Sequence, residues 1–139
     1  MRGAEVALDW DLWRSLKTTV TASQVRGVLS DRGDEPLPRL PPLQGRFSLT
    51  GGRESLSGTV GLRLAAAQDR PGEFEEPTDG YAVLDLSGQY LANWGGRLHA
   101  FSATLENASN AVYRRHLNRV KEILPEPGRN LRLLHKIFF

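Results

Sequence analysis

The sequence predicts an all-β chain, an antiparallel up-and-down transmembrane β-barrel portion of about seven strands that leaves the barrel incomplete. Three observations predict it. Apolar and polar residues alternate with period two along most of the chain. Many of these runs reach about ten residues, against ~5–6 for an ordinary soluble strand and ~9–11 for a strand tilted across a bilayer. The connections between the runs alternate short and long.

The first run sets Val6, Leu8, Trp10 and Leu12 against Ala7, Asp9 and Asp11. A short link near Trp13 to Ser15 leads to Leu16, Thr18, Val20 and Ala22, opposed by Lys17, Thr19, Thr21 and Ser23. A long link rich in proline and charge follows, from Asp31 to Pro42. The third run sets Leu43, Gly45, Phe47 and Leu49 against Gln44, Arg46, Ser48 and Thr50, and a tight turn is expected at Gly51–Gly52–Arg53. The fourth sets Leu56, Gly58, Val60, Leu62 and Leu64 against Ser57, Thr59, Gly61 and Arg63. An acidic loop then runs from Asp69 to Asp79. The fifth run carries Ala82, Leu84, Leu86 and Tyr90 opposite Asp85, Ser87 and Gln89. It turns at Asn93 to Gly96 into the sixth, His99, Phe101, Ala103 and Leu105 opposite Ser102, Thr104 and Glu106. The longest link, Ala108 to Gly128, precedes a last run from Asn130 to Phe139.

Membrane barrels sort their connections this way, because turns on the periplasmic side are tight and loops on the outer side are long. The parity makes the last strand run inward and places the beginning of the chain at an outer loop. An odd set of strands that starts outside does not close a barrel, so further wall is expected from elsewhere. Trp10, Trp13 and Trp94 fall at the short-turn side, where an inner aromatic girdle belongs. Tyr81 and Tyr113 fall near the outer ends. Leu131, Leu133, Ile137 and the terminal Phe139 form an alternating apolar signal suited to membrane insertion, interrupted by His135.

Composition narrows the function. The chain has 139 residues, 40% hydrophobic and 24% charged, with no Cys and a formal net charge of +2. Disulfides, thiolate metal sites and cysteine nucleophiles are excluded. The basic residues are scattered rather than gathered into a stripe, which argues against nucleic acid. No phosphate-binding glycine loop and no marked Ser/His/acid set appears, so no enzyme activity and no cofactor are expected. Helical spacing of Val112, His116, Leu117, Val120, Ile123 and Leu124 between Ala111 and Leu124, stopped by Pro125, predicts a short amphipathic turn packed on the rim. His99 and His135 fall on strand faces that point outward. His116, with Glu75, Glu76 and Asp79, is the candidate outer-loop ligand contact, for a metal ion or a metal complex.

The segment Glu106–Asn107, Asn110, Tyr113–Arg114 and His116–Leu117 resembles the penultimate-strand exit of TonB-dependent receptors. Pro127–Gly128–Arg129–Asn130–Leu131–Arg132–Leu133 with terminal Phe139 resembles their final strand. Leu37–Pro38–Arg39–Leu40–Pro41–Pro42 and Thr78–Asp79–Gly80–Tyr81 with Leu84–Asp85–Leu86 resemble two more of their segments, in family order. The resemblance spans nearly the whole chain. It implies a barrel of about 22 strands with a plugged lumen, in the outer membrane of a Gram-negative bacterium, importing a siderophore, haem, metal or similar nutrient. Residues 1–139 would be the C-terminal fragment of that barrel, with the plug and earlier strands absent. Its partners would be outer-membrane lipid, the remaining barrel and plug, and the barrel-assembly machinery, with TonB reached only through the plug. Arg46, Arg63, Asp85 and Glu106 would face the lumen. The competing expectation is a soluble β-sandwich binding module, in which the apolar faces pack on one another. An outer-membrane enzyme barrel is a third class, and it lacks the residues it would need.

Overall fold

The structure is a computed structural model that describes residues 1–139. Its strands are β1 (Arg2–Trp13), β2 (Leu16–Arg26), β3 (Val28–Leu29), β4 (Glu35–Pro36), β5 (Gln44–Arg53), β6 (Leu56–Ala65), β7 (Tyr81–Trp94), β8 (Arg97–Glu106) and β9 (Asn130–Phe138). Seven of them form one antiparallel sheet in the order β1-β2-β5-β6-β7-β8-β9. The short β3 and β4 pair with each other inside the first long connection.

The register explains the alternation. Val6 lies opposite Ala22, Leu8 opposite Val20, Val20 opposite Phe47, Phe47 opposite Leu62, and Leu62 opposite Leu84. On the other face Ala7, Thr21, Arg46, Arg63 and Val83 line up from strand to strand. The sheet therefore has one apolar and one largely polar face. A slip of one residue would exchange them.

The apolar face has nothing packed on it. Val6, Leu8, Leu131 and Leu133 are 54%, 61%, 60% and 72% exposed. Only 12 of 139 residues are buried, whereas 62 of the 77 backbone hydrogen bonds lie within the regular elements. The ladder, not a two-layer core, holds this sheet. The soluble sandwich requires two apolar faces in contact, and a single bare sheet does not supply them. β1 and β9 are free edges, so the barrel is not closed.

All three short connections have two residues, at 14–15, 54–55 and 95–96. Gly95 and Gly96 both have positive φ, +59° and +75°, as a two-residue hairpin turn with the strands' own twist requires. The turn expected at Gly51–Gly52–Arg53 lies two residues further on. These residues belong to β5 and pair with Gly58, Ser57 and Leu56. A Cβ on Gly52 would sit 3.0 Å from that of Ser57, so the glycine marks a close approach of two strands. Glu54 makes the bend instead, with φ 51°. In β1 the register shifts between Asp11 and Trp13, bringing Trp13 opposite Leu16.

The three long connections, residues 27–43, 66–80 and 107–129, gather at the opposite end of the sheet. The segment expected to make a short amphipathic turn between Ala111 and Leu124 is a series of turns with no helix, despite its helical spacing. Local bonds compete with the helical ladder there. Arg114 Nε donates to the Lys121 carbonyl, and the Val120 N–H donates to the Asn118 side chain. Val112, Leu117, Val120, Ile123 and Leu124 are exposed, while Tyr113, His116 and Lys121 are buried. The apolar spacing points outward, the reverse of what an amphipathic helix needs.

Candidate functional site

The last loop folds back over the polar face. Arg63 grips Asp85 with two bonds, Nε to Oδ2 at 2.6 Å and Nη2 to Oδ1 at 3.0 Å. Its Nη1 donates to the Tyr113 hydroxyl at 3.2 Å. Asp85 Oδ1 also accepts the Asn107 N–H at 2.9 Å, so a wall carboxylate fixes the point where the loop begins. The Tyr113 ring lies 4.6 Å from that of Tyr81. These two tyrosines therefore meet over the polar face and do not form an outward belt. A cleft of about 400 Å³ remains between wall and loop, lined by Arg46, Arg63, Asp85, Glu106, Tyr113 and Arg115 among others. All four residues expected to face a lumen lie on this side.

Asn107, 1% exposed, ties the loop's two ends together. Its Nδ2 donates to the carbonyls of Ala111 and Pro127, and its Oδ1 accepts the Ala111 N–H. Asn110 Oδ1 accepts the Arg129 N–H at 2.9 Å. Near the loop's end Glu126 pairs with Arg115 at 3.0 Å and accepts a bond from Asn118. Burial alone would raise the Glu126 carboxyl, but those two donors outweigh it and hold the group below its ordinary range.

Of the four candidate ligand-contact residues, two meet. His116 Nε2 lies 3.5 Å from Glu75 Oε2, with the His116 side chain 1% exposed. Glu75 is otherwise engaged by the backbone N–H groups of Arg39 and Gly72. Burial would raise its carboxyl, and these donors together with His116 hold it low. Gly72 packs so tightly that a Cβ would fall 2.3 Å from the Pro38 Cα. Glu76 contributes only its carbonyl, which accepts from Lys121 Nζ at 2.7 Å. The residues Glu76 and Asp79 are exposed. No three His, Cys, Asp or Glu side chains are placed to hold a metal ion. Sequence reasoning missed Glu126 and the buried Val83. It took Lys121 only as one of the basic residues of the last loop, although this lysine is 6% exposed.

At the short-turn end, Trp10, Trp13 and Trp94 are 70%, 78% and 74% exposed, and register puts all three on the apolar face. In β9, Leu131, Leu133 and Ile137 lie opposite Leu105, Ala103 and His99 on that face. Phe139 follows the strand, with the Arg97 guanidinium 4.5 Å over its ring. His99 and His135 share the apolar face too, Nδ1 to Nε2 at 3.0 Å.

One sheet with a bare apolar face, a polar face capped by its own loops and two open edges is a section of β-barrel wall. Residues 1–111 match the family described as TonB dependent receptor-like, beta-barrel, and the chain belongs to that family. Among solved structures, 32 chains match. One of them, the copper transporter OprC, superimposes with a TM-score of 0.85 at 26% identity, over 98% of this chain. The chain spans 24% of that transporter's length. No curated protein sequence matches.

Proposed function

We propose that this chain is the C-terminal wall section and outer-loop set of a TonB-dependent receptor that imports a scarce nutrient through the outer membrane of a Gram-negative bacterium. The observation that carries the reading is the bare apolar face of a single sheet whose strands are long enough to cross a bilayer, in a chain of this family. In water that face would be unfavourable. In lipid it is the expected exterior, since closed sheets satisfy every backbone group.

On this reading Val6, Leu8, Phe47, Leu62, Phe101 and Leu105 meet acyl chains, and Trp10, Trp13 and Trp94 form the girdle at the periplasmic interface. Leu131, Leu133, Ile137 and Phe139 are read by the barrel-assembly machinery. The edges β1 and β9 pair with the remaining wall, and the polar face meets the plug, through which TonB acts. The exposed Glu76 and Asp79 face arriving ligand. OprC is named for copper. This chain offers no Cys, one Met and no convergent His or carboxylate trio, so soft-metal ligation, if copper is the cargo here too, belongs to the rest of the receptor.

A topology measurement tests this. In the intact receptor in living cells, Ile123→Cys in the last loop should react with a membrane-impermeant maleimide. Glu54→Cys in a short turn should react only after the outer membrane is permeabilised. Equal labelling of both sites, or recovery of the receptor in the soluble fraction, overturns the proposal.

A further inference from the structure

Three outer loops converge on one buried polar cluster. From residues 27–43 comes the Arg39 N–H, from residues 66–80 come Glu75 and Thr78, and from residues 107–129 come His116 and Lys121. We propose that His116 is an acid-sensitive clasp, holding the last loop on its neighbour while its ring is neutral and releasing it when protonated.

The ring's tautomer follows from its neighbours. Lys121 Nζ lies 3.2 Å from Nδ1, and an ammonium only donates. Nδ1 is therefore the acceptor and the ring proton sits on Nε2, facing the Glu75 carboxylate. The Thr78 hydroxyl stands 3.2 Å from the same Nδ1. A second proton has to enter at Nδ1. It removes the Lys121 bond and sets two cations about 3 Å apart where water is nearly excluded. Lys121, 6% exposed, has no carboxylate of its own, and its other bond goes to the Glu76 carbonyl. Glu75 compensates in part, but both its oxygens already accept N–H groups from Arg39 and Gly72.

The direction of the pH effect is then fixed. Burial first, and Lys121 second, lower the His116 pKa below its ordinary 6.5, against the pull of Glu75. Released, the imidazole titrates near that ordinary value, so below about pH 6.5 the released state binds more protons and gains. The clasp is full above that pH and weakens as pH falls. Each unit by which the docked pKa is depressed changes the docked-to-released ratio about tenfold. The low Glu75 pKa adds a loss of the same sign beneath 4.5. The clasp stands independently of transport, whereas its consequence, a mouth that loosens in acid, rests on the receptor reading.

The test is a distance measurement on the intact receptor in bilayers, with spin labels at Phe74→Cys and Ile123→Cys, both exposed. A short, narrow distribution is expected at about pH 7.5, and a broad, longer one should grow in at about pH 5.5. His116→Gln, which keeps a donor and an acceptor but does not titrate there, should remain docked across that range. Lys121→Met should shrink the difference between the two pH values, because the repelling cation is gone, and should lower docking at both, because the bond to the Glu76 carbonyl is lost as well. A wild-type distance that ignores pH, or a His116→Gln receptor that opens with acid as wild type does, overturns the proposal.

Discussion

In the edge strands β1 and β9 every side chain is exposed and the backbone carries the order. In the loop from Asn107 to Arg129 the aliphatic side chains are exposed again, yet what lies buried carries polar groups: Asn107, Tyr113, His116, Lys121 and Glu126. On the proposed reading the wall tolerates exchange within a face, because any apolar residue suits lipid and any polar one suits the interior. The cap tolerates little, because its buried groups are each held by particular partners. A wall position is specified by its face, a cap position by its bonds.

The largest effect should come from breaking the wall's rule. Val60→Arg puts a charge on the apolar face, midway along β6. It should cost about 2–4 kcal/mol near the bilayer midplane, read as the urea midpoint of the receptor refolded in lipid. Thr59→Arg, one residue away on the polar face, should stay within about 0.5 kcal/mol. Equal costs at the two sites would mean that the faces are not sorted as described. Next comes the cap. Asn107→Gly tolerates the positive φ of 49° at that position and removes only the side chain. Three backbone groups lose their partner, costing about 1–3 kcal/mol of loop docking. Trypsin should then cut faster at Arg114 and Arg115, while the wall's unfolding midpoint moves little. The smallest effect belongs to the join between strands. Glu54→Gly relieves a left-handed residue in an exposed turn and should raise the urea midpoint by the equivalent of about 0.5 kcal/mol.

The same contrast decides what was legible in the sequence. Period-two alternation exposed the wall because face is a one-dimensional property: Leu8, Val20, Phe47 and Leu62 needed only their neighbours' parity. Gly51 and Gly52 misled because a glycine admits either a turn or a close strand contact, and only the pairing with Ser57 distinguishes them. Val83 escaped notice because it is an apolar residue on the polar face, opposite Arg63, and yet fully buried. The cap was illegible to periodicity. The spacing of Val112, Leu117, Val120 and Ile123 is helical, but helix needs local backbone bonds that Asn118 and Arg114 divert. The family resemblance at Asn107, Asn110, Tyr113 and His116 fell on residues that hold the cap, three of them buried. Lys121 and Glu126 lie outside it, and only the folded loop shows what they bond.

The bonds of Asn107 and Asn110 also bear on how the sheet assembles. The other seams of the sheet close across two residues, across residues 66–80, or across residues 27–43, where the paired β3 and β4 shorten the path. Strand β9 must find β8 across residues 107–129, which adds about 2 kcal/mol of loop-closure entropy over a two-residue hairpin. By joining residue 107 to 111 and 127, and residue 110 to 129, the two asparagines shorten that search from a long excursion to a pinched neck. The last seam can then zip as a local hairpin, and its rate should follow the neck rather than the length of the loop beyond it.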